Sequence, residues 1–239
     1  MDVLLRIISD VHGNVPALDE VMADSYGRQA DQTLCLGDVV GYGADPEYCI
    51  DSVSRDCEIV VKGNHDAGVA DQLGLEYFND PGARAADWSR NLLDGRRIKW
   101  LAELPMLREH EDGLVLCHSY PPKPESWSYV LHSHLAKSSC QSFPGKVCLV
   151  GHTHVAIAWN ESGTPVRLDS GGLDDVCLIN VGSVGQPRDG DPRAAYLTID
   201  TDRRTWAHHR VEYDIDAAAE RIREEGLPEV LWKRLYVGR

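Results

Sequence analysis

The chain has 239 residues with 24 Lys+Arg, 38 Asp+Glu and 10 His, a formal net charge of −14, and 43% hydrophobic residues. That composition supports a sizeable core without help from disulfides or a structural metal, and one domain over 1–239 is the expectation for this length. The acidic balance speaks against gripping a nucleic-acid duplex or an anionic membrane, but not against a small anionic ligand where bound metal reverses the local field.

The chain opens on Met1-Asp2-Val3-Leu4-Leu5-Arg6-Ile7-Ile8, whose early acid and internal arginine suit a buried strand better than a signal peptide. No apolar run approaches the ~20 residues of a membrane-crossing helix, so no membrane partner is expected. Strand-length apolar runs recur at 3–9, 32–36, 58–61, 113–117, 146–150, 154–159, 164–168, 176–180, 194–199 and 204–211. Between the early ones lie amphipathic segments. Val15, Leu18, Val21 and Met22 share one face of a helix over 15–26, with Asn14 as its N-cap. Pro46 suits the first turn of a helix over 46–54. One or two helices over 81–104 break near Asp94-Gly95 and stop at Pro105. The run Arg108-Glu109-His110-Glu111-Asp112 reads as a solvated turn. A helix over 216–225 ends at Gly226, and another starts at Pro228.

Alternating strands and helices in the first part suggest parallel pairing, and the strand-dense 146–211 region suggests an antiparallel meander. The expected fold class is α/β, two packed mixed β-sheets flanked by helices. Seven cysteines without a Cys-x-x-Cys pair make a disulfide framework and an all-thiolate zinc site poor readings. Cys35, Cys117, Cys148 and Cys177 sit in apolar runs as small hydrophobes, and the cytoplasm is the simplest compartment.

Polar residues gather where the strands end: Ser9-Asp10-Val11-His12-Gly13-Asn14, Gly37-Asp38, Gly63-Asn64-His65-Asp66, His118, and Gly151-His152-Thr153-His154. Ligands of open α/β sheets collect beyond the carboxyl ends of strands. Each piece alone could be a capping or loop residue. Their joint placement, with glycines beside three of them, points to one metal site.

In that order these motifs resemble the calcineurin-like metallophosphoesterase superfamily, nearest its small bacterial and archaeal phosphodiesterase-type members. Val39-Val40-Gly41-Tyr42-Gly43-Ala44-Asp45-Pro46 and the 180–193 segment add to the likeness, which runs from residue 3 to about 211. The resemblance implies a four-layer αββα sandwich and a two-metal site. Asp10, His12, Asp38 and His154 would hold one ion; Asp38, Asn64, His118 and His152 would hold the other, with Asp38 bridging. The ions would be divalent or transition metals (Mn, Fe, Zn, Co or Ni), with manganese favoured, because carboxylate, imidazole and amide donors suit them better than Ca or Mg. Such a pair, ~3.5–4 Å apart, makes hydroxide available for in-line attack. His65 would contact phosphate and protonate the leaving oxygen, with Asp66 orienting its ring and raising its pKa.

The phosphoprotein phosphatases of the superfamily continue Gly-Asp into Asp-Arg-Gly. Here Gly41-Tyr42-Gly43 lacks that arginine, and Arg188 is the candidate replacement on the phosphate, set against a surface pairing with Asp189 or Asp191. The expected activity is hydrolysis of a small or nucleotide-like phosphodiester. Alternatives on the same site are a phosphomonoesterase or protein phosphatase and a dinucleoside polyphosphate hydrolase; an alternative of another class is a non-catalytic metal-binding scaffold. A metallo-β-lactamase would want His-x-His-x-Asp-His, and Val155-Ala156-Ile157-Ala158 follows His154 instead. Phosphate-loop and dinucleotide motifs are missing. Trp127, Tyr129 and Pro121-Pro122 follow His118 as a candidate cleft wall. His132 and His134 read as solvent-facing, and His208 and His209 as pointing to opposite faces of a strand. An oligomer has no support in the sequence.

Overall fold

A computed structural model of the chain describes residues 3–24 and 29–239. In chain order the elements are β1 (Leu4–Ile8), α1 (Val15–Ala23), β2 (Gln32–Cys35), α2 (Pro46–Asp56), β3 (Ile59–Val60) and α3 (Asn64–Val69). Then come α4 (Asp80–Leu92), α5 (Gly95–Glu103), β4 (Leu107–His110), β5 (Leu114–Cys117), α6 (Ser133–Ser142) and β6 (Val147–Val150). The remainder is β7 (Ile157–Trp159), β8 (Pro165–Val166), β9 (Ser170–Gly172), β10 (Leu178–Asn180), β11 (Ala194–Asp200), β12 (Thr205–Val211), α7 (Ile215–Glu224) and α8 (Glu229–Lys233).

Strand alternation sorts these elements into layers. Leu5 and Ile7 of β1 point one way and Ile8 the other. Leu5, Ile7, Leu34 and Leu36 meet Leu114, Leu116, Leu149 and Ile179 in one fully buried cluster, so it fills the space between two sheets. Ile8 and Cys35 face outward onto Leu18, Val21, Ile50 and Val53 of α1 and α2. On the far side, Val115, Cys148 and Val150 pack under Ala136 and Cys140 of α6. The result is the expected stack of helices, sheet, sheet and helices. Each fully buried Leu or Ile contributes roughly 1.5–3 kcal/mol to holding those layers together.

The first sheet has the order β3-β2-β1-β11-β12-β9 and the second β4-β5-β6-β10-β7-β8. Each contains a parallel triplet, β3-β2-β1 and β5-β6-β10. The 146–211 region is therefore only partly the expected meander: β6 and β10 run parallel, while β10–β7 and β11–β12 are antiparallel.

Several local expectations hold. Asn14 caps α1, its side chain accepting from the Ala17 N–H, and Pro46 opens α2. The 81–104 stretch is two helices, because the Asp94 side chain accepts from the Arg97 N–H and starts the second. Residues 25 and 26, the end of the first expected helix, lie outside the described residues. Others are corrected. Arg108, Glu109 and His110 form a strand rather than a turn; β4 is an edge strand, where outward-facing charges are tolerated and discourage further pairing. Asn64 to Val69, for which the sequence set no element, is a short helix. Cys140 and Cys177 form a disulfide, against the all-thiol expectation. The packing of α6 over the second sheet brings these residues, 37 apart in sequence, to a Cα separation of 5.4 Å. No helix among the described residues is long and apolar enough to cross a membrane.

Candidate metal centre

The loops leaving the ends of both parallel triplets meet over the inter-sheet core. Asp10 and His12 follow β1, Asp38 follows β2, Asn64 and His65 begin α3 after β3, His118 follows β5, and His152 and His154 follow β6. The two sheets touch here through polar atoms: the His152 N–H donates to Asp10 Oδ2 at 3.0 Å, and His118 Nε2 lies 3.2 Å from Asp38 Oδ2. Such convergence needs sharp backbone turns. Asp10, His12, Asp38, His152 and His154 all have positive φ, between 51° and 68°. Left-handed backbone costs an L-residue roughly 1–2 kcal/mol, and its concentration on five of the seven expected ligands marks strain held for a purpose.

Candidate donor atoms fall into two groups. Asp10, His12, Asp38 and His154 form one and Asp38, His118 and His152 the other, each with its donor atoms within 4.8 Å of one another. Asp38 belongs to both. Asn64 stands beside the second group's Asp38 with its Oδ1 buried and without a hydrogen-bond partner.

The hydrogen bonds behind the rings decide what the front offers. A carbonyl only accepts, so a ring nitrogen bonded to one carries the proton. His12 Nδ1 donates to Val40 O at 3.0 Å, His118 Nδ1 to Leu36 O at 2.8 Å, and His154 Nδ1 to Gln186 O at 2.6 Å. His152 is reversed, its Nε2 donating to Trp127 O at 2.8 Å and leaving Nδ1 inward. In the neutral state four imidazole lone pairs therefore face the two carboxylates. His12 Nε2 and His154 Nε2 lie 3.1 Å apart, too close for two lone pairs with nothing between them. Asp10 Oδ1 and His118 Nε2 are buried with no hydrogen-bond partner, whereas Asp10 Oδ2 is satisfied by Ser9 Oγ at 2.7 Å. Orphaned lone pairs of this kind fit a cation, and backbone-anchored imidazoles are the usual support for one.

Charge follows the same geometry. Burial raises the Asp10 pKa, but His154 and His118 outweigh it and hold the carboxyl well below its usual range; Asp38 is held down likewise, chiefly by His118 and His65. For His118 burial works downward, and Asp38 and Asp10 overcome it to lift the pKa to about 9. Burial lowers His152 to about 3 and His154 to about 4, helped by His118 and Arg188 respectively.

A pH dependence follows. Without metal, His118 keeps its proton below about pH 9, and a cation must displace it. Apparent Mn2+ affinity should rise about tenfold per pH unit from 6.5 toward 9 and level off above. The raised pKa also stabilises the metal-free fold below 6.5, a contribution lost as pH rises through 9. Calorimetric Mn2+ titrations of chelator-stripped protein at several pH values check this; an affinity flat with pH would mean that the ring is neutral before metal arrives.

His65 stands beside the cluster, 3% exposed. Its ring packs against Tyr42 at 4.3 Å, His12 at 4.9 Å and Phe78 at 4.9 Å, and its backbone N–H donates to Asp38 Oδ1 at 2.8 Å. Gly41, at φ +87°, leaves room for the ring, since a Cβ there would strike Nδ1. The expected role of Asp66 is corrected. Its oxygens accept from the backbone N–H groups of Asp38, Val39, Val40 and Gly63, while His65 Nδ1 has no partner. Asp66 therefore shapes the two loops that carry Asp38 and His65 rather than orienting the ring. Burial, followed by the charge of Asp38, raises its pKa to about 6. The His65 pKa is lowered by burial, not raised.

A cleft with about 360 Å³ of empty space opens beside these groups. Asp38, Asn64, His65, His152, His154, Tyr42 and Arg188 line it, with Tyr77, Phe78, Asn79 and Tyr129. Arg188 points here rather than to a surface carboxylate, because Asp189 pairs with Arg210 and Asp191 with Arg193. Tyr129 stacks on His152 at 4.3 Å and Trp127 offers its carbonyl, so the expected wall is partly right; Pro121 and Pro122 do not line the cleft. His132 and His134 stack on each other and lie among no donors of the centre. His209 stacks on Tyr196, while His208 sits near Gly182, so the two do part as expected. Sequence reasoning gave no role to Gln186, Tyr77 or Phe78.

The calcineurin-like phosphoesterase superfamily domain model matches residues 3–204. The uncharacterized protein MJ0912 of Methanocaldococcus jannaschii is 37% identical, covering 99% of this chain and 98% of its own. Phosphodiesterase YfcE of Escherichia coli is 26% identical over 83% of this chain and 88% of its own. A metallophosphoesterase from Sphaerobacter thermophilus superposes with a TM-score of 0.89 at 34% identity, covering 100% of both chains.

Proposed function

The chain belongs to the calcineurin-like phosphoesterase superfamily of phosphoric ester hydrolases, and on that premise we propose that it hydrolyses small or nucleotide-like phosphodiesters at a dinuclear centre. The observation that carries this reading is the sharing of Asp38 between two donor groups, beside which Asp10 Oδ1, His118 Nε2 and Asn64 Oδ1 are buried without a hydrogen-bond partner. Asp10, His12, Asp38 and His154 would hold one ion, and Asp38, Asn64, His118 and His152 the other. The mixed oxygen and nitrogen donors suit Mn, Fe, Zn, Co or Ni rather than Ca or Mg, and we take manganese as the working ion. Bound there, the ions supply charge neutralisation for the phosphoryl oxygens and an acidified water as nucleophile.

The side chains of the chain itself do the rest. Arg188 lines the cleft without a carboxylate partner and reaches the bound phosphate from the side where the Asp-Arg-Gly arginine is missing. His65 donates a proton to the leaving oxygen. Its lowered pKa makes it neutral at rest, and the negative charge of a bound phosphate favours the imidazolium that can donate. Tyr42 and Phe78 hold its ring, and Asp66 holds the loop beneath it. Tyr77 and Tyr129, exposed by 76% and 48%, rim the cleft and offer faces to a planar leaving group. We read 1–239 as one catalytic domain, since α7 packs on α1 and α8 on α7. We keep the cytoplasm as compartment on the five free cysteines, against which the single Cys140–Cys177 disulfide stands.

A hydrolysis panel under Mn, Zn, Ni and Fe tests the reading. It includes bis(p-nitrophenyl) phosphate, p-nitrophenyl phosphate, cyclic nucleotides, a dinucleoside polyphosphate and a phosphopeptide. Diesters, those with a linked second phosphoryl group included, should turn over faster than monoesters, with manganese the best activator; dominant phosphopeptide hydrolysis would overturn the small-ester preference.

A further inference from the structure

The chain has far more acids than bases, so its arginines find carboxylates easily. Arg55, Arg97, Arg193, Arg204, Arg210 and Arg221 all do. Arg188 and Arg234 are different. Each donates instead to one neutral atom, Gln186 Oε1: Arg188 Nη2 at 2.9 Å and Arg234 Nη1 at 3.2 Å. The Nε of each is buried and has no hydrogen-bond partner. Two like charges converging on a single amide oxygen repel each other and leave donors unsatisfied, an arrangement that an anion would relieve.

The surrounding structure fixes this arrangement. Gln186 is 2% exposed; its backbone N–H donates to Ser183 Oγ at 2.8 Å, and its carbonyl holds the His154 ring. The C-terminal turn that carries Arg234 is tied to the same loop, Gly190 N–H donating to Gly238 O at 3.0 Å. Arg188 also lies over the Tyr42 ring, 5.4 Å from its centroid. Arg188 lines the cleft and Arg234 does not. The positive charge therefore starts beside the metal donors and extends away from them.

We propose that Arg188 and Arg234 form a second anion site, for a phosphoryl group of the substrate next to the one that is cleaved. The favoured esters then carry two linked phosphorus centres, as a nucleoside diphosphate ester does. This rests on the phosphoesterase reading and narrows its substrate class. Guanidinium forks match phosphoryl oxygens in pairs, and two of them suit a group bearing two or more charges.

The test compares two non-hydrolysable probes on the manganese-loaded full chain by calorimetry: methylenediphosphonate, with two phosphorus atoms, and methylphosphonate, with one. Arg234→Gln should weaken methylenediphosphonate at least tenfold more than methylphosphonate, and Arg234→Lys should recover part of that difference. A parallel loss for both probes, or none, overturns the proposal and leaves Arg234 as a support for Gln186. If Arg234→Gln unfolds, as its circular dichroism would reveal, the Arg234→Lys comparison decides: a charge-retaining variant without the fork still loses more on the two-phosphorus probe, and equal losses overturn the site. Activity is read separately. A wild-type chain that cleaves no ester under any metal defeats the phosphoesterase reading, while the probe ratio still decides whether the anion site exists.

Discussion

Asp38→Asn is expected to lose metal and activity together, with bound manganese falling from about two ions per chain to below one and kcat/KM dropping by roughly 10³-fold or more. The reason is the number of tasks that meet on this carboxylate. It is 1% exposed, belongs to both donor groups, and lies 3.6 Å from His12 Nε2 and 3.2 Å from His118 Nε2 through Oδ2. Oδ1 accepts the His65 backbone N–H. An amide of the same shape keeps the packing and can keep that one hydrogen bond. It removes the negative charge between two cation positions and can turn an NH2 toward imidazole lone pairs. The carboxylate is held in place from behind, since the Gly63 backbone lies so close to Asp38 that a Cβ there would collide with the carboxylate. Elemental analysis of the purified variant beside hydrolysis of bis(p-nitrophenyl) phosphate gives both readouts. Full metal occupancy with lost turnover would reassign Asp38 from a shared ligand to a group acting on the substrate.

The site was legible in the sequence because metal donors are expensive to bury by accident, and five groups of them fall at strand ends. Element type came from periodicity, and that succeeded where one face meets a core, as in β1 or α1. It failed where tertiary context decides. The charged residues of β4 read as a turn because the sequence does not reveal an edge position. No helix was read over Asn64 to Val69 because it is short and His65 to Val69 are all buried, so no amphipathic stripe exists. Cys140 and Cys177 meet only because α6 crosses the second sheet. The role of Asp66 was misread for a related reason. Adjacency suggested a carboxylate on an imidazole, but in a helical first turn the side chain at this position turns back to the preceding backbone, and its acceptors are spent there. Arg234 lies 46 residues from Arg188 and carries no motif; only the fold brings the two onto Gln186.

The acidic surplus of the chain takes on a sharper meaning from these pairings. A net charge of −14 gives a surface that repels polyanions at long range. Against that background Arg188 and Arg234, which share an amide oxygen rather than a carboxylate, and a cluster able to hold cations, are local reversals of sign. On the proposed reading, having the reversal inside a cleft and the surplus outside it would select a small anion over a long one.

His65→Ala should separate acid chemistry from metal holding. The ring is not in either donor group, so metal content should stay at the wild-type level. Turnover of an ester with a poor leaving group, such as a simple alkyl or nucleoside diester, should fall by ~10²–10⁴-fold, the usual contribution of a positioned acid. A p-nitrophenolate leaves readily without a proton, so bis(p-nitrophenyl) phosphate should lose less, and the ratio of the two losses reports the proton directly. The structure sets one further condition. Burial outweighs the opposing charge of Asp38 and lowers the His65 pKa, and no carboxylate hydrogen-bonds Nδ1, so a phosphate charge bound beside the ring favours the imidazolium. The acidic group should therefore be seen in the pH profile of kcat, which reads the enzyme–substrate complex, at a higher pKa than in that of kcat/KM, which reads the free enzyme. Removal of the ring should abolish the difference for the poor leaving group. Equal losses on both esters, with the pH profiles unchanged, would make His65 a binding contact for the phosphate and return the search for the acid to the other groups lining the cleft.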